Sequence, residues 1–323
     1  MKDKITLALK GMAMGIAEVI PGVSGGTIAF ITGIYEQLLN SIKAVGPELF
    51  TALKKDGISG AWAALNGNFL LNLMIGMVLG VVFGVLVVTE LLESYPVLLW
   101  AFFFGLIIAS AIYIGKQVDR WNVLTISSLL IGLVVAYGIT VAVPTQGNPA
   151  LWFVFLSGMI AISALILPGI SGSFILLLMG MYTIIVPSVK NILTDFNTDS
   201  FIIVFVFALG ALAGLATFSR VLSWTFKNYP NPTLALLTGF MVGSLNKIWP
   251  WRIATAWLTD ATTGEFIVDK EGVKKVLSEQ NLSPFQYATE TGLEPYMILA
   301  IVMMIIGFAS VFVLERFGKD VTP

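Results

Sequence analysis

Two hexapeptides concentrate the backbone chemistry of this chain: PGVSGG at Pro21–Gly26 and PGISGS at Pro168–Ser173. Each lies inside a long apolar stretch. Proline removes a backbone N–H and turns the preceding residue away from helix, and glycine admits backbone angles closed to other residues. Pro21, Gly22, Pro168 and Gly169 are therefore read as breaks that end one helix and start another. The helices that restart near Thr27 and Phe174 aim N–H groups at the break. Gly25, Gly26 and Gly172 leave room there for a ligand, and Ser24, Thr27, Ser171 and Ser173 add hydroxyl donors. Helix N-termini of this kind favour phosphate or carboxylate. The plain alternative is a pair of tight turns packed against neighbouring helices. Breaks made twice, in corresponding places of an apolar chain, point instead to a transporter's binding site.

Other polar residues stand near these breaks or near the ends of apolar segments. Glu18 precedes Pro21 by three residues in an apolar half-helix, and its counterpart in the second copy is Leu165. A charged side chain at membrane depth costs about 2.5–3.5 kcal/mol on insertion scales and is by default a functional hypothesis. Glu18 is expected to carry a coupled proton; the alternative is a carboxylate that hydrogen-bonds the opposite tip and fixes its geometry. Arg220 could reach a phosphate or snorkel to the interface. Lys247 and Arg252, in NKIWPWR, are expected at the outer interface, where they attract an anionic head group or mark the membrane boundary.

Composition narrows the chemistry. Of 323 residues, 57% are hydrophobic and 11% are charged, against about 25% charged in a soluble domain. The solvent is therefore lipid. A net charge of −1 lacks the basic surplus of a nucleic-acid binder, so no nucleic-acid partner is expected. There is no cysteine and no histidine. Disulfides, thiolate chemistry, a zinc site, a Ser-His-Asp triad and a histidine proton relay are excluded, and no cofactor or metal is called for.

The elements that must position these residues can be read from hydropathy. A membrane-spanning helix needs about 20 mainly apolar residues. Segments 69–92, 95–115, 122–143, 201–226, 231–250 and 295–316 meet this. The stretches 5–43 and 150–192 are each split by their Pro-Gly motif into halves that are short for a full crossing. Each is either a re-entrant hairpin or two short spans. The fold class is thus an all-α polytopic membrane protein built from two repeats, 1–143 and 144–323, each a broken hairpin followed by three spans.

The repeat extends beyond the motifs. Gly33 and Tyr35 return as Gly180 and Tyr182 at the same offset of 147. Tyr95-Pro96, Gly105 and Ser110 resemble Tyr229-Pro230, Gly239 and Ser244, and Gly80 and Gly84 resemble Gly210 and Gly214. Either form of the broken stretch gives each half an odd number of crossings, which inverts one half against the other. With both termini cytoplasmic, twelve Lys and Arg fall inside and six outside, four of the six in or beside the long polar loop 252–294. This fits the positive-inside rule, and a parallel repeat does not. The N-terminus, MKDKITLALKGMAMG, is read as a mature start and not a cleaved signal peptide.

The pairing of AEVIPGVSGGT (Ala17–Thr27) with LILPGISGSF (Leu165–Phe174), in a chain of eight such elements, resembles the polyprenyl-phosphate transporter family, and the resemblance covers nearly the whole chain. It implies a multi-pass protein of a prokaryotic cytoplasmic membrane. Such a protein returns undecaprenyl phosphate, the carrier lipid of cell-wall precursors, from the outer to the inner leaflet. The partners implied are the polyprenyl phosphate and the bilayer; a homodimer is left open. The motif also resembles the PGxSRSG signature of membrane undecaprenyl-pyrophosphate phosphatases. Here Gly25-Gly26 and Gly172-Ser173 occupy the positions of the signature's arginine, and no histidine is present. Phosphoryl transfer needs charge clamped on the transferring group, so the transporter reading leads, with the phosphatase and a small-anion carrier or channel as alternatives.

Overall fold

The computed structural model describes residues 2–20, 23–195, 197–259, 264–268, 272, 274 and 276–319. Pro21 and Gly22, two of the expected helix-breaking residues, lie outside the described residues. The first broken stretch is α1 (Lys2–Val19), α2 (Gly25–Ile31) and α3 (Tyr35–Lys43). An 18-residue helix, α4 (Pro47–Ala64), follows, kinked where Gly57 leaves helical geometry. The first span then runs through α5 (Gly67–Phe83), a π-helical turn and α6 (Thr89–Ser94) as one unit of 28 residues. Next come α7 (Pro96–Gly115) and α8 (Val123–Val141).

The same order returns in the second half. The broken stretch is α9 (Leu151–Ile166), α10 (Gly172–Leu178) and α11 (Tyr182–Asp195). It is followed by α12 (Thr198–Asn228) and α13 (Pro230–Ser244), a 3-10 turn at Leu245–Ile248, and finally α15 (Met297–Lys319). Between the turn and α15 lies a small lobe of β1 (Arg252–Trp257), β2 (Val276–Asn281) and α14 (Pro284–Thr291). β1 and β2 pair antiparallel, from Arg252↔Asn281 to Trp257↔Val276. α14 opens with a capping box between Ser283 and Gln286. The lobe thus adds a hairpin to an otherwise helical chain.

Each broken stretch breaks twice. After the Pro-Gly motif, both short helices stop at a left-handed glycine, Gly33 (φ 72°) and Gly180 (φ 67°). A side chain there would be strained, which explains why these two glycines stand at matching places. α10 and α11 meet at a bend of 116°, so a single straight span is ruled out for that stretch.

Among the described residues, five helices are long and apolar enough to cross a membrane: Gly67–Ser94, Pro96–Gly115, Val123–Val141, Thr198–Asn228 and Met297–Arg316. They correspond to five of the six expected spans. The sixth segment, 231–250, forms only the 15-residue α13 before the backbone tightens into the 3-10 turn. A shorter helix suffices because α13 is packed inside the bundle, with Ala235, Leu237 and Met241 fully buried.

Helix partners alternate between the halves. α1 packs on α5 and α9 on α12; α7 packs on α15 and α13 on α8. The close approaches match in detail. A Cβ on Gly76 or Gly80 would strike the backbone of Ala8 or Met12, and one on Gly210 or Gly214 that of Phe155 or Met159. Gly105 and Gly307 bring α7 and α15 into backbone contact, as Gly239 and Gly132 do for α13 and α8. Small residues permit such packing where lipid supplies no hydrophobic drive between helices. The contacts set Gly76 and Gly80 against Gly210 and Gly214, one helical turn away from the alignment expected from sequence. The slip arises because glycines recur every four residues on α5, and spacing alone leaves the turn undetermined.

Candidate functional site

The first tip is closed upon itself. Ser24 caps α2, its Oγ accepting from the Gly26 N–H at 3.1 Å and lying 3.2 Å from the Leu165 carbonyl, to which it donates. Glu18 reaches over from the end of α1, and its Oε1 accepts the Gly25 N–H at 2.9 Å. The Thr27 N–H donates to the Ser24 carbonyl at 3.0 Å. The donors expected to face a ligand at this tip are therefore paired with the protein's own oxygens. Gly25, Gly26 and Thr27 are buried. The Thr27 hydroxyl is different: it is buried with no partner among the described residues.

The second tip is arranged otherwise. Ser171 makes no side-chain cap on α10; its hydroxyl lies 2.9 Å from that of Ser173. Pro168 and Gly169 are buried, and Gly169 (φ 85°) sits against α13, where a Cβ would come within 3.0 Å of Phe240, Met241 and Ser244. The tips touch: besides Ser24 to Leu165, the Tyr35 hydroxyl donates to the Ile166 carbonyl at 3.0 Å. Both carbonyls belong to the last turns of α9, whose C-terminal oxygens need donors.

A cavity of about 530 Å³ opens beside the second tip, lined by Glu18, Trp100, Ser173, Tyr182, Lys247, Arg252 and Glu279 among others. A neighbouring hollow of about 320 Å³ shares Phe174, Lys247, Arg252 and Glu279 and adds Asn246 and Asn281. The two cations thus stand between two hollows. Lys247 Nζ lies 3.1 Å and Arg252 Nη1 3.2 Å from the same Glu279 oxygen. The Arg252 guanidinium lies 3.7 Å from the centre of the Trp100 ring, and Lys247 Nζ 4.5 Å from that of Phe174. Arg252 also donates to the Lys247 carbonyl. Burial pulls the Arg252 guanidinium below its ordinary value, and the Glu279 charge opposes that. Aromatic faces and a shared carboxylate hold both cations, whose side chains are largely buried.

The structure brings Glu18, Ser173, Lys247 and Arg252 to one cavity. It places Arg220 elsewhere. The Arg220 guanidinium donates to the Ala216 carbonyl at 2.7 Å and to those of Lys43 and Val45 at 3.4 Å, closing the C-terminal end of α3. At the other, N-terminal end of α3, Phe30, Tyr35 and Phe226 form an aromatic cluster with ring centres 5.0–6.2 Å apart. By the repeat, Phe30 and Tyr35 correspond to Leu177 and Tyr182, which line the cavity. The counterpart of the cavity wall is thus packed with rings.

Sequence reasoning passed over Glu279, Trp100 and Phe174. Glu279 is one of seven acids in the lobe, and only the pairing of β1 with β2 turns it toward Lys247. The Trp100 ring is buried and stacks on Arg252.

Residues 14–266 match a family described as undecaprenyl phosphate translocase-like. A polyprenyl-phosphate transporter of Vibrio cholerae is 42% identical over 311 residues, 96% of each chain. One of Staphylococcus aureus is 31% identical over 254 residues, 75% of this chain and 85% of its own. No solved structure matches the chain. The family and both relatives are named for transport and not for a reaction, in keeping with motifs that lack arginine. The chain belongs to the undecaprenyl phosphate translocase-like family.

Proposed function

We propose that this protein carries polyprenyl phosphate across the cytoplasmic membrane, from outer to inner leaflet, for re-use of the carrier lipid in cell-wall synthesis. The observation that carries the reading is the cavity in which Ser173 of the second tip meets Lys247 and Arg252. A phosphate entering it exchanges water for two cations and a hydroxyl, interactions that are strong where the local dielectric is low. With the two halves inverted and the termini cytoplasmic, the lobe and the cavity face outward. The ring cluster of Phe30, Tyr35 and Phe226 then closes the inward side.

In this reading Ser171 and Ser173 touch the phosphate. Ser24 ties the first tip to the second through Leu165, Gly25 and Gly26 close the first tip upon Glu18 and Ser24, and Arg220 fixes the C-terminal end of α3. Glu18, at the cavity wall, takes up a proton when the head group arrives and so couples transport to the proton gradient. The polyprenyl tail stays in lipid, beside the apolar outer faces of the spans.

Reconstitution in liposomes with a short-chain polyprenyl phosphate tests this. Head-group exposure in the opposite leaflet, release of inorganic phosphate and leakage of small anions are followed together. Exposure without release or leakage is expected. Released phosphate would instead favour a phosphatase, and anion leakage a carrier of small ions.

A further inference from the structure

Among the described residues, the charged side chains lining the cavity are Glu18, Lys247, Arg252 and Glu279. Glu279 comes from β2 and Arg252 from the first position of β1, both in the lobe, while Lys247 stands in the 3-10 turn that follows α13 and Glu18 at the end of α1. One oxygen of Glu279 bridges both cations, at 3.1 and 3.2 Å. Its side chain is partly exposed (23%), whereas that of Arg252 is buried (7%). The carboxylate is therefore on the open side of the cation pair, where an incoming head group must pass or displace it.

We propose that Glu279 sets the charge of this cavity for a phosphomonoester and against a diphosphate. This rests on reading the cavity as the head-group site. Lys247 and Arg252 alone would offer two positive charges and would hold a diphosphate more firmly than a monophosphate. Glu279 removes one of those charges. A phosphomonoester carries between one and two negative charges near neutrality and is matched by what is left, with Glu18 protonated. A diphosphate brings a second phosphate with at least one more charge to a cation pair that the Glu279 carboxylate, 3.1 and 3.2 Å away, has already partly neutralised. Selectivity then comes from a repulsive element built into the site, as specific recognition often requires. Electrostatic mismatch of this kind suppresses the wrong partner more than it strengthens the right one.

Equilibrium binding of farnesyl phosphate and farnesyl diphosphate to the purified full-length chain in detergent tests this, by thermophoresis of the labelled protein. The wild type should prefer the monophosphate on the order of tenfold. Glu279→Gln keeps a hydrogen-bonding oxygen between the cations but no charge; it should bring the diphosphate to parity or better. Glu279→Asp should keep the preference. A wild type that binds the diphosphate as tightly as the monophosphate overturns the proposal without any variant. An unchanged ratio in Glu279→Gln overturns it while leaving the cavity as the head-group site. Failure of both lipids to bind, or binding indifferent to Lys247→Ala, overturns the cavity reading itself and this inference with it.

Discussion

The Glu18 carboxylate accepts the backbone N–H of Gly25 at 2.9 Å, so α1 caps the helix that restarts beyond its own break. The same carboxylate lines the cavity that holds Lys247 and Arg252. Protonation state, tip geometry and head-group charge therefore meet at one side chain. Glu18→Gln keeps an oxygen for Gly25 but carries no titratable proton. Transport by this variant should fall on the order of tenfold or more and lose its pH dependence, with expression near that of the wild type. Full activity with an unchanged pH profile in proteoliposomes would rule out the coupling role.

Arg252 is buried against Trp100, and arginine keeps its charge there at any pH the protein meets. Lysine in its place is a different group. Burial lowers the pKa of a lysine by disfavouring the charged form. As pH rises through that lowered value the site loses a positive charge. Arg252→Lys should therefore bind polyprenyl phosphate more weakly, and its binding should decline on the alkaline side at a lower pH than the wild type's. Titration of lipid affinity between neutral and alkaline pH checks the sign; coincident curves would contradict it.

The Thr27 hydroxyl is buried and finds no partner among the described residues. A buried polar group left unsatisfied costs about 1–3 kcal/mol. Thr27→Val removes the group at nearly constant volume, so the protein should become more resistant to thermal unfolding. If the hydroxyl serves a tip that rearranges during transport, the same variant should transport more slowly. Stability and flux measured on one preparation separate this from a merely structural threonine, for which flux would not fall.

Backbone contact between helices makes another variant pair informative. Gly80→Ala places a methyl group against the Met12 carbonyl, and Gly214→Ala against Met159. Each should cost about 1–3 kcal/mol through forced separation of the helices. Gly138 has open space at its Cβ position, so Gly138→Ala should be neutral or gain about 0.5–1 kcal/mol. Unfolding temperatures in one detergent compare the three.

Much of this architecture was legible because lipid imposes simple rules. Apolar length located five spans, and the paired motifs located both tips. The left-handed glycines Gly33 and Gly180 were visible as repeated positions before their backbone angles gave the reason. The site was less legible. Spacing suggested that the N–H groups after both motifs face a ligand, yet those of Gly25 and Gly26 are taken by Glu18 and Ser24. Local sequence does not reveal where a side chain seven residues back will fold. Nor does it reveal that a strand pairing in the lobe would deliver Glu279 to Lys247 and Arg252. Arg220 had the right charge and the wrong neighbourhood: three carbonyl oxygens claim it.

The most direct test of the cavity is head-group translocation in proteoliposomes carrying a short-chain polyprenyl phosphate, with the wild type and the Lys247→Ala/Arg252→Ala double variant compared at equal reconstitution. The wild type should expose the phosphate in the opposite leaflet while the double variant stays at the rate of protein-free vesicles. Translocation by the double variant at the wild-type rate would contradict the assignment of this cavity as the site through which the lipid head group passes.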